Sequence, residues 1–200
     1  MAVSRVVVIG TSAGGIEALR EVARDLPPDF PAPICIVLHV APQSPGLIPE
    51  ILSRVATMPV IYPRDRQRLE AGTIYVAPPD RHLIVEPGCL RVTSGPRENR
   101  FRPAIDPLFR SAAQIYGPAA IGVILTGNLG DGTGGLRALK QLGGVAIVQD
   151  ENDARFPGMP ADAARHVPID YCVPLNELAG LLGRLTSCRA AQEGEHPPAR

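Results

Sequence analysis

Three residues that can share a proton follow apolar runs in this chain. Ser12 lies in Gly10-Thr11-Ser12-Ala13-Gly14-Gly15, His39 stands near the end of Ile34 to Val40, and Asp131 closes the stretch Thr126 to Asp131 after Ile121 to Leu125. A serine hydroxyl is a weak nucleophile near neutral pH. It needs a base within hydrogen-bond reach, and that base needs an acceptor to fix its tautomer and stabilise its cation. Ser12, His39 and Asp131 have the types for those three roles. The string Gly10-x-Ser12-x-Gly14 also fits the G-x-S-x-G of a nucleophile elbow, a short pattern of little specificity by itself. A helix opening near Ala13 would aim free amides and its positive end at the same space, which suits an oxyanion.

Other readings of these loops stay open at this point. A glycine-rich turn between strand and helix also binds phosphate, so an α/β nucleotide-binding domain is one alternative. Two features oppose it: Ser12 stands where the dinucleotide pattern has a glycine, and His39 stands near where an acidic residue would meet a ribose. No Gly-Lys-Ser/Thr follows, which removes a P-loop. His39 alone could be a packing residue, and Asp131 before Gly132 a turn or helix-cap residue.

The elements that would carry these loops follow from periodicity. Arg5 to Gly10 is a β-branched run without polar alternation, as in a strand buried on both faces of a parallel sheet. Ile16 to Leu26 has helical spacing and stops at Pro27-Pro28; Ile34 to Val40 reads as a strand and Leu47 to Ala56 as a helix. Gly72 to Pro78, with the pair Leu83-Ile84-Val85 and Leu90-Arg91-Val92 around Glu86-Pro87-Gly88, reads as short strands in an antiparallel insert or sheet edge. Alternation resumes with helix Ile105 to Tyr116, strand Ala119 to Leu125, helix Gly134 to Leu142 and strand Val145 to Gln149. Helices over Asp162 to His166 and Leu175 to Leu185 complete the pattern. The predicted fold is a doubly wound α/β domain: a mainly parallel sheet, helices on both faces in three α/β/α layers, and a short antiparallel hairpin insert. In such a sheet ligands sit at the carboxyl ends of the strands, where Ser12, His39 and Asp131 all fall.

Composition sets the outer bounds. Lys+Arg 20 against Asp+Glu 20 gives zero formal net charge, so nothing suggests nucleic acid as a partner. No apolar stretch approaches the roughly 18 residues of a membrane span, and the apolar start before Gly10 is short for a secretory signal, so a cytoplasmic protein without membrane insertion is expected. Cys35, Cys89, Cys172 and Cys188 form no C-x-x-C, and His39, His82, His166 and His196 no H-x-x-x-H, so neither a metal nor a cofactor is expected. Gly 20 and Pro 22 fit many tight loops between short elements. Residues 1–188 are expected to form the domain, and 189–200, polar with Pro197-Pro198, a disordered tail.

Several ordered stretches resemble one family, the catalytic domain of the CheB protein-glutamate methylesterases of bacterial chemosensory systems. Gly10 to Gly15 is similar to that family's G-[AT]-S-[AT]-G-G turn, and Leu38-His39-Val40 to its histidine-ended strand. Further likenesses are Tyr75 to His82, Asn99-Arg100-Phe101-Arg102-Pro103 with Asp106, Leu125-Thr126-Gly127 through Asp131-Gly132, and Phe156 through Met159-Pro160. The resemblance spans about residues 4 to 186. It implies Ser12 as nucleophile, His39 as base and Asp131 as its acid partner, in a serine hydrolase that demethylates glutamyl methyl esters on methyl-accepting chemotaxis receptors and also deamidates receptor glutamines. Backbone amides of Ala13 and Asn128 are the expected oxyanion donors. Asn128 departs from the family, which has methionine there, and this leaves a catalytically silent chemosensory binding module as a further alternative.

The implied partners are receptor cytoplasmic helices and a separate response regulator or methyltransferase. The latter expectation arises because only five residues precede the first strand, where the family usually carries a receiver domain. Arg97, Arg100 and Arg102 form a basic cluster that either steers an acidic receptor surface or is a solvated loop. His82 follows a strand and is a further candidate to line the cleft.

Overall fold

A computed structural model describes residues 3–187 of the chain. The first strand, β1 (Val6–Thr11), is fully buried, and its side chains divide between two cores. Val7 and Ile9 face one side of a sheet, Val6 and Val8 the other. That division is what a run of β-branched residues needs in order to be covered on both faces.

Around β1 the sheet adds β2 (Ile34–Leu38), β5 (Ile74–Val76) and β3 (Val60–Ile61) on one side, and β8 (Ala120–Ile124), β9 (Val145–Gln149) and β10 (Tyr171–Val173) on the other. The order is β10-β9-β8-β1-β2-β5-β3, with every pair parallel. Helices α1 (Gly15–Asp25), α2 (Ile48–Ser53) and α6 (Leu175–Ser187) supply Leu19, Leu52 and Leu182 to one core. Helices α3 (Ile105–Tyr116), α4 (Thr133–Gln141) and α5 (Gly158–His166) supply Phe109, Leu136 and Met159 to the other. A small antiparallel sheet of β4 (Gln67–Arg68), β7 (Cys89–Thr93) and β6 (His82–Glu86) adds Leu83, Val85 and Leu90 to that second core.

The three-layer α/β/α arrangement and the hairpin insert match the reading of the sequence, with three differences. Residues 74–76 do not join the antiparallel insert; β5 pairs in parallel with both β2 and β3 inside the main sheet. Ile74 and Val76 enter one core while Tyr75 and Ala77 enter the other, so this run is covered on both faces as an interior strand must be. Helix α5 begins at Gly158, ahead of the expected Asp162, because Pro160 sits in its first turn, where no amide donor is needed. Strands β3, β4 and β10 have two or three residues each and leave too little pattern to read. The expected tail over 189–200, with Cys188 and His196, lies outside the described residues.

Strand β1 connects onward to β2 on one flank, while β8 arrives on the other, so the sheet changes direction between β8 and β1. The carboxyl ends of these strands form the crevice in which open α/β sheets hold ligands. No helix among the described residues is long and apolar enough to cross a membrane.

Candidate active site

Sheet register brings the first two candidates together. Thr11 of β1 pairs with Leu38 of β2, so Ser12 and His39 are the next residues on neighbouring parallel strands, about 4.8 Å apart in the pairing direction. The backbone fixes both: the His39 amide donates to the Thr11 carbonyl at 3.1 Å and the Ser12 amide to the Thr126 carbonyl at 3.1 Å. Thr126, just after β8, fastens the turn further. Its hydroxyl donates to the Ala13 carbonyl at 3.0 Å and accepts from the Phe156 amide at 2.9 Å, while Thr11 Oγ1 donates to the Thr126 carbonyl at 2.8 Å.

The turn differs from a nucleophile elbow in one respect. The left-handed residue is Gly14, at φ 74°, while Ser12 is not among the positive-φ residues. The sharp bend into α1 therefore comes two residues after the serine. A side chain at Gly14 would also press on Thr126 Oγ1 and the Phe156 ring, each at 3.2 Å.

Asp131 reaches His39 from the loop between β8 and α4. The His39 Nε2–H donates to Asp131 Oδ2 at 2.7 Å, with the two side chains only 4% and 0% exposed. An ionised carboxylate can only accept, so Nε2 carries the proton and Nδ1 holds the free lone pair of the neutral ring. Nδ1 is buried and has no hydrogen-bond partner among the described residues. This reverses the serine-protease arrangement, in which the acid holds Nδ1 and Nε2 acts as base.

Asp131 also accepts three further donors. The Ile105 amide reaches Oδ2 at 2.7 Å, the Asp106 amide reaches Oδ1 at 3.3 Å, and Asn99 Nδ2 reaches Oδ1 at 2.7 Å. Ile105 and Asp106 open α3, whose own cap residue, Ala104, offers no side-chain acceptor. Asp131 thus caps a helix distant in sequence and sits at its positive end. Burial pushes the carboxyl pKa up, and the bonds from His39, Ile105 and Asn99 together with the His39 charge more than offset it. The net result lies below the ordinary carboxylate value.

Asp106 returns the arrangement. Its Oδ1 accepts the Gly132 amide at 3.1 Å and the Gly135 amide at 2.6 Å, at the start of α4, and its Oδ2 accepts the second hydrogen of Asn99 Nδ2 at 2.8 Å. Each of two helices is capped by an aspartate tied to the other, with Asn99 bridging the pair.

Ser12 and His39 line an open cleft of about 390 Å³, together with Phe101, Arg97, Arg100 and Arg102. The Phe101 ring stacks on the imidazole with centroids 3.6 Å apart and planes 6° from parallel. It covers one face of the ring with apolar surface and holds its plane.

The two expected oxyanion donors separate. The Ala13 amide lies in the turn beside Ser12 and donates to no protein acceptor among the described residues. Asn128 is exposed, does not line the cleft, and stands against the start of α5, where a side chain on Gly158 would come within 3.3 Å of its Cα. Its neighbour Gly127 is the residue in close approach, since a side chain there would meet Ser12 Cβ at 2.9 Å and the Met159 sulfur closer still.

His82 does not line the cleft. It is buried with both nitrogens engaged, Nε2 donating to the Pro96 carbonyl at 2.9 Å and Nδ1 accepting from the Ala104 amide at 3.3 Å. The three arginines do line it, but Arg102 is bound to Asp80 and to the Ser94 and Gly95 carbonyls. No cluster of three or more His, Cys, Asp or Glu suited to a metal occurs among the described residues.

The CheB methylesterase family model matches residues 7–182. The chain belongs to this family. Among its relatives is protein-glutamate methylesterase/protein-glutamine glutaminase 2 of Anaeromyxobacter dehalogenans, 41% identical over 181 residues, covering 90% of this chain and 53% of that protein. A putative protein-glutamate methylesterase/protein-glutamine glutaminase of Leptospira interrogans is 39% identical over 180 residues, covering 90% of this chain and 93% of that one. The chain therefore spans about half of the first relative and nearly all of the second. The crystal structure of the Thermotoga maritima CheB methylesterase catalytic domain superposes with a TM-score of 0.87 at 33% identity, covering 91% of this chain and 98% of that one. As a CheB-family domain, the molecule keeps no support for the nucleotide-binding alternative.

Asn99, Phe101 and Asp106 are the site residues whose roles the sequence left unread. All three fall in stretches that carry the CheB resemblance, and that coincidence was the available signal. Their function depends on a loop folding back over His39, which no local periodicity reports.

Proposed function

We propose that this chain is a serine hydrolase that removes methyl groups from glutamyl methyl esters on the cytoplasmic helices of methyl-accepting chemotaxis receptors. The observation that carries the reading is the bond from His39 Nε2 to Asp131, which leaves Nδ1 unpartnered in the cleft that Ser12 also lines. Ser12 Oγ attacks the ester carbonyl as its proton passes to His39 Nδ1. Asp131, held ionised by four donors, stabilises the imidazolium without taking its proton. The Ala13 amide, beside Ser12 and without a protein acceptor among the described residues, receives the developing oxyanion. His39 returns the proton to the departing methoxide, so methanol leaves and an acyl-Ser12 remains. Water then gives its proton to Nδ1 and its oxygen to the acyl carbon, releasing glutamate and restoring Ser12. A glutamine side chain traverses the same steps with ammonia as leaving group, which accounts for a glutaminase activity beside the esterase.

The names of the relatives support this substrate class. A substrate on the cytoplasmic side of receptors is consistent with a cytoplasmic protein, for which a separate response regulator or methyltransferase is the proposed partner. Exposure of Asn128 on the outside of the cleft favours an active enzyme over a silent binding module, because the family-divergent side chain does not fill the site.

The test is methanol release from a methylated receptor cytoplasmic fragment, with Ser12→Ala protein at equal concentration as the comparison. Release by the native protein alone is expected. Equal release from both would overturn the role of Ser12, and release from neither would overturn the substrate assignment for the isolated protein.

A further inference from the structure

The loop that covers His39 contains a turn of unusual composition. Glu98 and Phe101 exchange both backbone hydrogen bonds, at 3.1 and 2.8 Å, and the two residues between them, Asn99 and Arg100, have φ of 50° and 73°. Two consecutive left-handed residues define a type I′ turn, whose second central position favours glycine. Here it holds arginine. The turn is secured on every side: Asn99 bridges Asp106 and Asp131, Phe101 stacks on His39, and Glu98 pairs with Arg110 of α3 at 2.6 Å. A strained backbone held this firmly directs attention to the side chain it displays.

Among the described residues, that side chain is the one cation of the cleft without a counter-charge. Arg102 is bound to Asp80 at 2.9 Å, and Arg97 lies at 4.0 Å from the same carboxylate. Arg100 is exposed, lines the cleft with Ser12, and has no carboxylate partner among the described residues. The guanidinium is always charged and presents a planar fork matched to a carboxylate.

We propose that Arg100 is a specificity residue that pairs with a substrate carboxylate lying beside the scissile ester, so that the site prefers a glutamyl ester flanked by an acidic residue. The inference rests on the esterase reading and adds the acidic neighbour to it. The turn works as one unit: Asn99 holds the acid, Phe101 covers the base, and Arg100, between them, meets the substrate. Because the pair forms at an open rim, it acts on capture of the substrate and weakens with salt.

Two short peptides test it, each with a single glutamyl γ-methyl ester, one with glutamate next to the ester and one with glutamine. Arg100→Gly removes the charge while keeping a residue that the turn favours, and Arg100→Glu reverses the charge. The native protein is expected to prefer the acidic peptide by about fivefold in kcat/KM, the upper range for an exposed ion pair, mostly through KM. Arg100→Gly should show no preference, and Arg100→Glu should favour the glutamine peptide. Equal preference in all three proteins would overturn the proposal.

Affinities measured on Ser12→Ala protein, with and without Arg100→Gly, separate this inference from the one beneath it. An Arg100-dependent preference in binding, with no hydrolysis by the native protein, would keep the subsite and overturn the esterase reading. Hydrolysis without any preference would do the reverse.

Discussion

His39, just after β2, and His82, which opens β6, both have buried side chains, and they have opposite hydrogen-bond states. His82 has a carbonyl on one nitrogen and an amide on the other, and joins the loop at Pro96 to the start of α3 at Ala104. His39 has a carboxylate on one nitrogen and, among the described residues, no partner on the other. Buried polar atoms are nearly always paired, so an orphaned nitrogen beside a serine marks chemistry where a satisfied one marks structure. Residue type and burial do not distinguish the two; the unused lone pair does.

The contrast is broken most directly at His39 itself. His39→Ala should lower ester hydrolysis by at least about 10³-fold, with the thermal midpoint within a few degrees of the native value, measured by methanol release and calorimetry on one preparation. An active His39→Ala protein would remove the distinction between the two histidines. Next is Asp131→Asn, for which turnover should fall by about 10³-fold with the fold retained. A loss of only twofold would make Asp131 a helix cap and nothing more. Asn99→Ala removes one charge-assisted bond from that carboxylate and is expected to lower kcat by about tenfold with little change in KM. A change in KM alone would assign Asn99 to substrate contact and not to positioning.

His82→Ala sharpens the comparison from the other side. It orphans the Pro96 carbonyl and the Ala104 amide and should cost about 2–3 kcal/mol in urea denaturation, while turnover per folded molecule changes by no more than a few-fold. The smallest effect is on pH. The Asp131 pKa is lower in the folded protein than in the unfolded chain, so its contribution to stability is present above the ordinary carboxylate value and is lost as pH falls through the folded value. Denaturation midpoints should therefore drop on the acid side of about pH 4, and less steeply in Asp131→Asn.

The three triad candidates were legible because each follows an apolar run, and in a parallel sheet that order places all three on one edge. The central elements were legible for the same reason: α3 over 105–116 and β9 over 145–149 have the predicted bounds. What stayed hidden depended on tertiary placement. Residues 74–76 adjoin the hairpin in sequence yet pair with β2, and only the covering of both their faces reveals it. Asn99 and Phe101 lie in a polar, arginine-rich stretch that reads as solvent-facing loop, and the partners that bring them to the site, Asp131 and His39, are 32 and 62 residues away. Asp106 reads as an ordinary acidic residue in the first turn of α3, whereas it serves the start of α4.

The exchange of caps between α3 and α4 limits how relatives of this domain can be recombined. A hybrid joined anywhere between 107 and 130 takes the start of α3 from one parent and the acid that caps it from the other. Asp131 is seated by α3 amides at 2.7 and 3.3 Å, so a small difference in how the parents set that helix passes directly to the imidazole. Crossovers placed before 98 or after 135 inherit both aspartates, the bridging amide and the stacking ring as one block, and should yield active hybrids more often.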